Sequence, residues 1–342
     1  MNTLRVGLSG CGRRGAEVVQ AVRTHDYCDV VALHDPDPAA LAALGDRTGI
    51  AARSTDFQAL LATGVDFVVL TGPCGDRLAQ VTEAAAQGAH CCVHAPIAPD
   101  AATAARMVEL CEQAGVKLGV VVPAQAAPVM DEIRRMIAGD WLGAPVLVTA
   151  MVGEDAVLRT PPGPDHWLRD PARAGSGALL QLAAEALHLV VWLTERSPLR
   201  ATALATSGFT RLPQDGAAAA LVLRGGIVCT IAASHLCDGW ALAVHGTDGA
   251  VRIAADRIWL RGRKAWNGEV LTYPTPHVDV LVPRLDGPEP AAARFELHGR
   301  FARWIDDYDD FPCPGDQAAL DLQALDAARR AVEAGAGEDV GG

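Results

Sequence analysis

Two hydrophobic periodicities divide the chain. Between residues 4 and 122, short continuous apolar runs alternate with segments of helical period. The strands are Leu4 to Leu8, VVALHD, a short one near Ala51, DFVVL (66–70), AHCCVH (89–94) and KLGVVV (117–122). The helices are AEVVQAV, an Ala- and Leu-rich segment from Pro38, Thr55 to Thr63, Arg77 to Gln87 and Pro99 to Ala114. Strands apolar on both sides and separated by helices predict a parallel sheet covered on both faces. Gly88 and Gly115 stand where helix ends favour glycine. Pro123 marks a boundary. Beyond it, PVMDEIRRMIAGDWLG predicts an amphipathic helix ending at Gly139 or Gly143, and PVLVTAMVG opens a second sheet. Residues 155–177, rich in Pro, Gly and Asp, predict a loop over a site, and ALLQLAAEALHLVVWL (178–193) predicts one helix. From Ala201 to Leu285 the pattern alternates and carries the turn signals LRGG, HGTDG and NGE. That predicts a mostly antiparallel sheet with one face open for a partner. Gln317 to Ala334 predicts a closing helix, and the tail EDVGG is expected to be loose.

The expected architecture is α/β: a doubly wound parallel sheet over residues 1–123, then an α+β domain over 124–342 with a large open sheet. The last helix, 317–334, is expected to pack back on the first domain. A length of 342 residues suits two domains with separate cores. A hydrophobic content of 50% makes the chain globular. A net charge of -12 argues against nucleic acid as a partner, because phosphate contacts need clustered Lys and Arg. No apolar run reaches the length of a membrane helix, so no membrane partner is expected. The chain runs from Met1-Asn2-Thr3 straight into a strand, and its nine cysteines are an odd number. Free thiols and a cytoplasmic location are the expectation.

The stretch VGLSGCGRRG, Val6 to Gly15, joins the first strand to the first helix. Gly10 permits the turn, Gly12 lets backbone approach a pyrophosphate, and Gly15 lets helix and strand pack closely. The helix N-terminus adds free N–H groups and partial positive charge. Asp35 lies twenty residues past Gly15, at the end of VVALHD. A carboxylate there accepts hydrogen bonds from an adenosine ribose and repels a 2′-phosphate, and Pro36 offers no compensating cation. The first domain therefore reads as a Rossmann dinucleotide-binding domain, with NAD favoured over NADP.

With these landmarks, HDPDP, VVLTGPCGDRLAQVTEAAAQGAHCCVHAP, HWLRDPARAGSGALLQLAAEALH, CTIAASH and VHGTDGAVRI, the chain resembles the Gfo/Idh/MocA family over nearly its whole length. The resemblance implies an N-terminal Rossmann domain, a C-terminal domain on an open antiparallel sheet, and NAD- or NADP-dependent oxidation or reduction of sugars, cyclitols and similar polyols. It also implies a homodimer or homotetramer through that sheet. It places Arg13, Arg14, Pro73, Arg77, His94, Pro96, Trp167 and Arg169 among the cofactor-binding positions. Relatives carry Glu-Lys-Pro after the fifth strand, where this chain has His94-Ala95-Pro96. They carry Asp-x-Gly-x-His-x-x-Asp where it has Gln181, Ala183, Glu185 and His188. The usual Thr-Pro-x-x-x-His is here Gly72-Pro73-Cys74-Gly75-Asp76-Arg77. The usual lysine and the usual histidine acid/base are absent.

Gln181, Glu185 and His188 sit at i, i+4 and i+7 and so share one face of the expected helix. Two uses fit them. The first lines a cleft between the domains, with Glu185 as acid/base and His188 tuning it. The second is a Glu–His pair on a solvated groove. His94 ends a strand at the carboxyl edge of the parallel sheet, where it contacts a ribose, donates a proton or simply packs. His90, Cys92 and His94 alternate on one strand face with Cys74 as a possible fourth ligand, but alternate strand positions lie about 7 Å apart. That is too wide for one tetrahedral ion, and no metal is expected. His166 precedes Trp167 and Arg169 in the Pro-rich loop. Arg169 either pairs a carboxylate or replaces charge missing at Ala95. His235 and Trp240 lie toward the second sheet, which suits an oligomer contact as well as a site. Three functions remain open. They are an oxidoreductase with Glu185, His188, His94 and Gln181 as its catalytic set, a non-redox isomerase, lyase or cyclase, and a non-catalytic NAD(P)-binding regulator.

Overall fold

The computed structural model describes residues 3–126, 128–163, 166–254, 257–262, 265–266, 271–272, 278–281, 288–334 and 338–339. The chain forms two compact units. One is Met1–Ala126 with Ala291–Leu320, and the other is Ala127–Pro290 with Asp321–Gly342.

The first unit holds β1 (Leu4–Ser9), α1 (Arg13–Val22), β2 (Cys28–His34), α2 (Pro38–Thr48), β3 (Ala52–Ser54), α3 (Phe57–Leu61) and β4 (Phe67–Leu70). It continues with α4 (Arg77–Ala86), β5 (His90–His94), α5 (Ala101–Ala114) and β6 (Leu118–Val121). The six strands pair in parallel in the order β3-β2-β1-β4-β5-β6. All four residues of β4 are buried, as their unbroken apolar run requires. Capping follows the local sequence. Asp37 accepts from Ala39 N ahead of α2, Asp100 accepts from Thr103 N ahead of α5, and Gly49 and Gly115 close these helices in the left-handed region. Because β1 lies between β2 and β4, the winding direction reverses there. The reversal opens a crevice at the carboxyl ends of β1 and β4.

A helix not anticipated above, α11 (Pro288–Ile305), adds its later turns to this unit. Phe301 is fully buried and meets Phe67 at 5.4 Å between ring centroids, with Trp304 and Phe311 completing the cluster. A side chain on Gly119 would collide with Phe301 and Phe311, so the glycine on β6 makes room for this aromatic layer.

The second unit begins with α6 (Pro128–Ala138) and β7 (Pro145–Gly153). The segment predicted as an open loop contains two short helices, α7 (Ala156–Arg159) and α8 (Pro171–Ala174), and a 3₁₀ turn at Trp167–Arg169. The single helix predicted over 178–193 is instead two. α9 (Ala178–Gln181) and α10 (Ala183–Thr194) are separated at Leu182, and the stretch Pro171–Gln181 is bent by 50° from α10. The start of α9 is held by Gln214, whose backbone carbonyl accepts from Ala178 N and whose side-chain oxygen accepts from Leu179 N. α10 follows its own packing, with every residue from Ala186 to Thr194 buried.

The large sheet contains β8 (Pro198–Thr206), β9 (Gly216–Leu223), β10 (Ile227–Ser234), β11 (Gly239–Gly246), β12 (Gly249–Ala254), β13 (Arg257–Gly262), β16 (Val278–Leu281) and β17 (Glu338–Asp339) beside β7. β14 (Ala265–Trp266) and β15 (Leu271–Thr272) form a separate ribbon. The order is β16-β13-β12-β11-β7-β10-β9-β8-β17, antiparallel except for the β7–β10 pair. The LRGG and HGTDG signals mark the β9–β10 and β11–β12 turns, while NGE lies outside the described residues. The tail departs from expectation: Glu338 and Asp339 pair with Ala201 and Arg200 and extend the sheet by one short strand. The last helix, α12 (Gly315–Ala334), gives its residues up to Leu320 to the first unit and the rest to the second. Among the described residues, no single helix is long and apolar enough to cross a membrane.

Candidate cofactor and active site

The turn between β1 and α1 is built by three glycines with three different tasks. Gly10 has φ +101, in the left-handed region, and a side chain there would strike Thr71 and Gly72. Gly15 lies so close to the Gly10 carbonyl that any Cβ would overlap it, and this brings α1 down onto the turn. Gly12 differs from both. Its φ of -70 suits any residue, and a Cβ there meets nothing within 4 Å. The space over Gly12 is thus open at the N-terminus of α1, which no side chain caps and whose first turn has no acid. An anion at that position meets backbone N–H groups and the positive end of the helix.

Asp35 follows β2 and fastens this turn. Its Oδ2 accepts from Cys11 N at 2.6 Å, and its Oδ1 accepts from Asp37 N at 2.8 Å. Each oxygen retains a lone pair for a ribose hydroxyl. Ser9 Oγ lies 2.8 Å from His34 Nδ1 and accepts from Gln80 Nε2 at 2.8 Å, locking the ends of β1 and β2 together. The donors of α1, the open space at Gly12 and the acceptor at Asp35 fit a dinucleotide laid across this turn.

At the ends of β4 and β5 the polar groups face one another. Arg77 is 2% exposed, and its guanidinium donates to the carbonyls of Gly72, His94 and Pro96. It shapes the turns that carry Pro73 and Pro96, the latter after a cis peptide bond. Burial pushes the Arg77 guanidinium down to about 10. Arg14, half-buried on α1, reaches the Ala95 carbonyl at 3.5 Å. Arg13 lies on the exposed side with Glu17 at 3.5 Å. His94 is 8% exposed, and its Nε2 lies 3.3 Å from Nε2 of His298, a residue the sequence reading missed. Burial is the main cause holding both imidazoles below the ordinary histidine range, His298 at about 4. Arg14 and Arg77 lower His94 further, after the charge of His298. His90 Nδ1 accepts from Lys117 N at 2.9 Å, and Cys92 and Cys74 are buried. Among the described residues no three metal-binding side chains converge.

In the second unit the expected three-residue stripe is broken, because the bend at Leu182 puts Gln181 on a different helix from Glu185 and His188. The Gln181 side-chain amide donates to the Ala174 carbonyl. Glu185 is half-buried in the first turn of α10, where the helix dipole favours a carboxylate. His188 is a core residue, 2% exposed, with Nδ1 2.8 Å from Asp321 on α12. These two lie 133 residues apart, beyond the reach of any local sequence pattern. Trp167 is half-buried and stacked on His166 at 5.7 Å. Arg169 is held locally, donating to the Pro162 carbonyl. His235 is 4% exposed beyond β10, its N–H donating to the Asp215 carbonyl, and Trp240 is half-buried on β11.

Comparisons with known proteins show the family and the fold. Residues 4–122 match the family model "Oxidoreductase family, NAD-binding Rossmann fold", and residues 130–252 match the GFO/IDH/MocA C-terminal domain. The chain belongs to the Gfo/Idh/MocA oxidoreductase family. It is 29% identical over 175 residues to D-xylose 1-dehydrogenase (NADP(+)) 2 of Haloferax volcanii, covering 51% of each chain, so it spans about half the length of that relative. It is 25% identical over 262 residues to D-xylose 1-dehydrogenase [NADP(+)] of Haloarcula marismortui, covering 74% of this chain and 72% of that one. Among solved structures, the WlbA dehydrogenase of Bordetella pertussis, in complex with NADH and UDP-GlcNAcA, has a TM-score of 0.83. Its identity is 23%, over 99% of this chain and 98% of that one. Levoglucosan dehydrogenase, in complex with NADH and L-sorbose, has a TM-score of 0.86 at 15% identity over 100% of both chains. At these identities the solved structures show a shared fold.

Two outcomes follow from this geometry. Gly12→Val should fold with a melting temperature close to that of the parent, since its side chain enters open space. It should weaken NADH binding by about 100-fold or more, a loss of roughly 3 kcal/mol, measured by nucleotide fluorescence titration. Equal affinity in parent and variant would remove the cradle. The second outcome concerns pH. His94 and His298 are neutral in the fold and titrate below their unfolded values. Their stabilising contribution is full above about pH 6.5 and declines as pH falls toward about 4. Thermal melts across that range should show the melting temperature dropping with acidification; a flat profile would contradict the burial assigned to the pair.

Proposed function

We propose that this protein is an NAD(P)-dependent oxidoreductase acting on a hydroxyl or carbonyl carbon of a sugar, cyclitol or related polyol. The observation that carries the reading is the open space over Gly12 at the uncapped start of α1, with Asp35 beside it. Relatives named for D-xylose oxidation and solved relatives that bind NADH support it. In the proposed roles, the N–H groups of α1 and the Arg14 guanidinium take the pyrophosphate, and Asp35 takes the adenosine ribose. Asp35 favours NAD, although the named xylose dehydrogenases use NADP(+), because a 2′-phosphate would meet its carboxylate. Nicotinamide, when bound, supplies or accepts the hydride. Glu185 and His94 are the two groups proposed to take or return the hydroxyl proton.

Ala95 favours a second reading. It is 4% exposed and carries no charge where relatives have lysine, which suits an enzyme on the same scaffold that makes product without net redox. A nucleotide-binding regulator would need neither outcome. The readings separate when purified protein is titrated with NADH and NADPH and then assayed at the reduced-nicotinamide band with a panel of aldoses and cyclitols. An absorbance change carries the first reading. Product without absorbance change carries the second, and binding without turnover overturns both. Where turnover is found, Glu185→Gln should lower kcat by about 10²- to 10⁴-fold while leaving NADH affinity unaltered. Unchanged kcat would remove Glu185 from proton transfer.

We also propose that a second copy of this chain covers the open face of the large sheet. The outward positions Ala218, Ala220, Val222, Val228, Thr230 and Ala232 on β9 and β10 carry no charge, and Val228 is 46% exposed. Uncharged sheet faces of this kind become symmetric interfaces. Light scattering should give a multiple of the 35.7 kDa chain mass, and Val228→Glu with Ala220→Glu should give the monomer. A monomeric parent would refute the assembly.

A further inference from the structure

The roles proposed above leave His298 unused. Its ring is 3% exposed on α11 and lies 3.3 Å, Nε2 to Nε2, from His94 at the end of β5, 204 positions away in sequence. The ring centroids are 5.5 Å apart with planes tilted by 33°. Two bare nitrogens repel at this separation, and two N–H groups collide. One ring must therefore carry its proton on Nε2 and the other on Nδ1. A shared metal ion would also set two imidazole nitrogens this far apart. However, the guanidinium groups of Arg14 and Arg77 act on His94, and no third ligand joins the pair among the described residues.

The far side of the pair is also informative. His298 Nδ1 is buried and has no hydrogen-bond partner among the described residues. An orphaned buried nitrogen costs stability, and such a group calls for an explanation. The next residue along α11 is Gly299, where a Cβ would meet His25 Nε2 at 2.6 Å and the Tyr27 hydroxyl at 2.5 Å. His25 and Tyr27 are half-buried, with Tyr27 Oη 3.2 Å from His25 Nδ1. His25, packed against α11 at Gly299, also acts by its charge on His298.

We infer that His94 and His298 form a neutral two-imidazole proton relay in which His298 positions His94, sets its tautomer and receives its proton. This rests on the reading of the β5 edge as part of the cofactor and substrate site. At the outset His94 carries Nε2–H and His298 carries Nδ1–H. A ligand hydroxyl gives its proton to His94 Nδ1. The Nε2–H bond of His94 then breaks as the Nε2–H bond of His298 forms, and the Nδ1–H bond of His298 breaks as its proton passes to a water molecule. Both rings end neutral with their tautomers exchanged. No imidazolium is left in a place where burial and two guanidinium groups oppose it. The reverse transfer, in the carbonyl-reducing direction, restores the starting state.

The test combines spectroscopy with two variants of the full chain. ¹⁵N imidazole spectra of the NADH-bound protein at pH 7 should show His94 and His298 neutral and in opposite tautomers. In His298→Phe, His94 should lose its single tautomer. In His298→Gln, which keeps a hydrogen-bond partner but cannot relay, His94 should keep one tautomer. With any aldose the parent oxidises, both variants should lose at least about tenfold in kcat at unchanged NADH affinity. Imidazole in the buffer should restore part of the turnover of His298→Phe. Like tautomers, a charged ring at pH 7, or full turnover in His298→Gln would overturn the relay. If NADH fails to bind the parent, the cofactor reading falls. The tautomer measurement on the free protein then still decides whether the pair exists.

Discussion

The close approach of α1 to the glycine turn is the constraint on which the first unit depends. Gly15 rests against the Gly10 carbonyl, and any larger residue would lift the helix away. Gly10 turns the chain at φ +101, and the Asp35 carboxylate ties Cys11 N to the end of β2. Together they aim the N-terminus of α1 at the point where the sheet reverses direction. The backbone alone thereby makes a place for an anion, before any side chain is chosen for chemistry.

In each unit several polar groups are engaged in holding the fold. Arg77 binds three carbonyls, His188 binds Asp321, and His90 caps the Lys117 amide. In a low-dielectric interior each of these groups would be costly without its partner. Arg14 and Glu185 are half-buried, each in the first turn of its helix.

The glycine turn, Asp35, the parallel strands and the alternating second sheet were legible because each rests on neighbours in sequence. A glycine spacing, a period of two or a continuous apolar run states its own structure. The bend at Leu182 was not legible. Apolar residues surround it on both sides, and Gln214, which holds the start of α9, comes 32 residues after it. Helix α11 did leave a signal, since Leu297, Phe301, Trp304 and Ile305 keep helical spacing, but the prolines at its start obscured it.

What the amino-acid order determined by itself was the class of fold and the glycine turn ahead of α1, both of them properties of contiguous residues. Tertiary structure decided which histidines meet. His94 found His298 and His188 found Asp321 because packing, not proximity along the chain, fills a buried nitrogen's need for a partner.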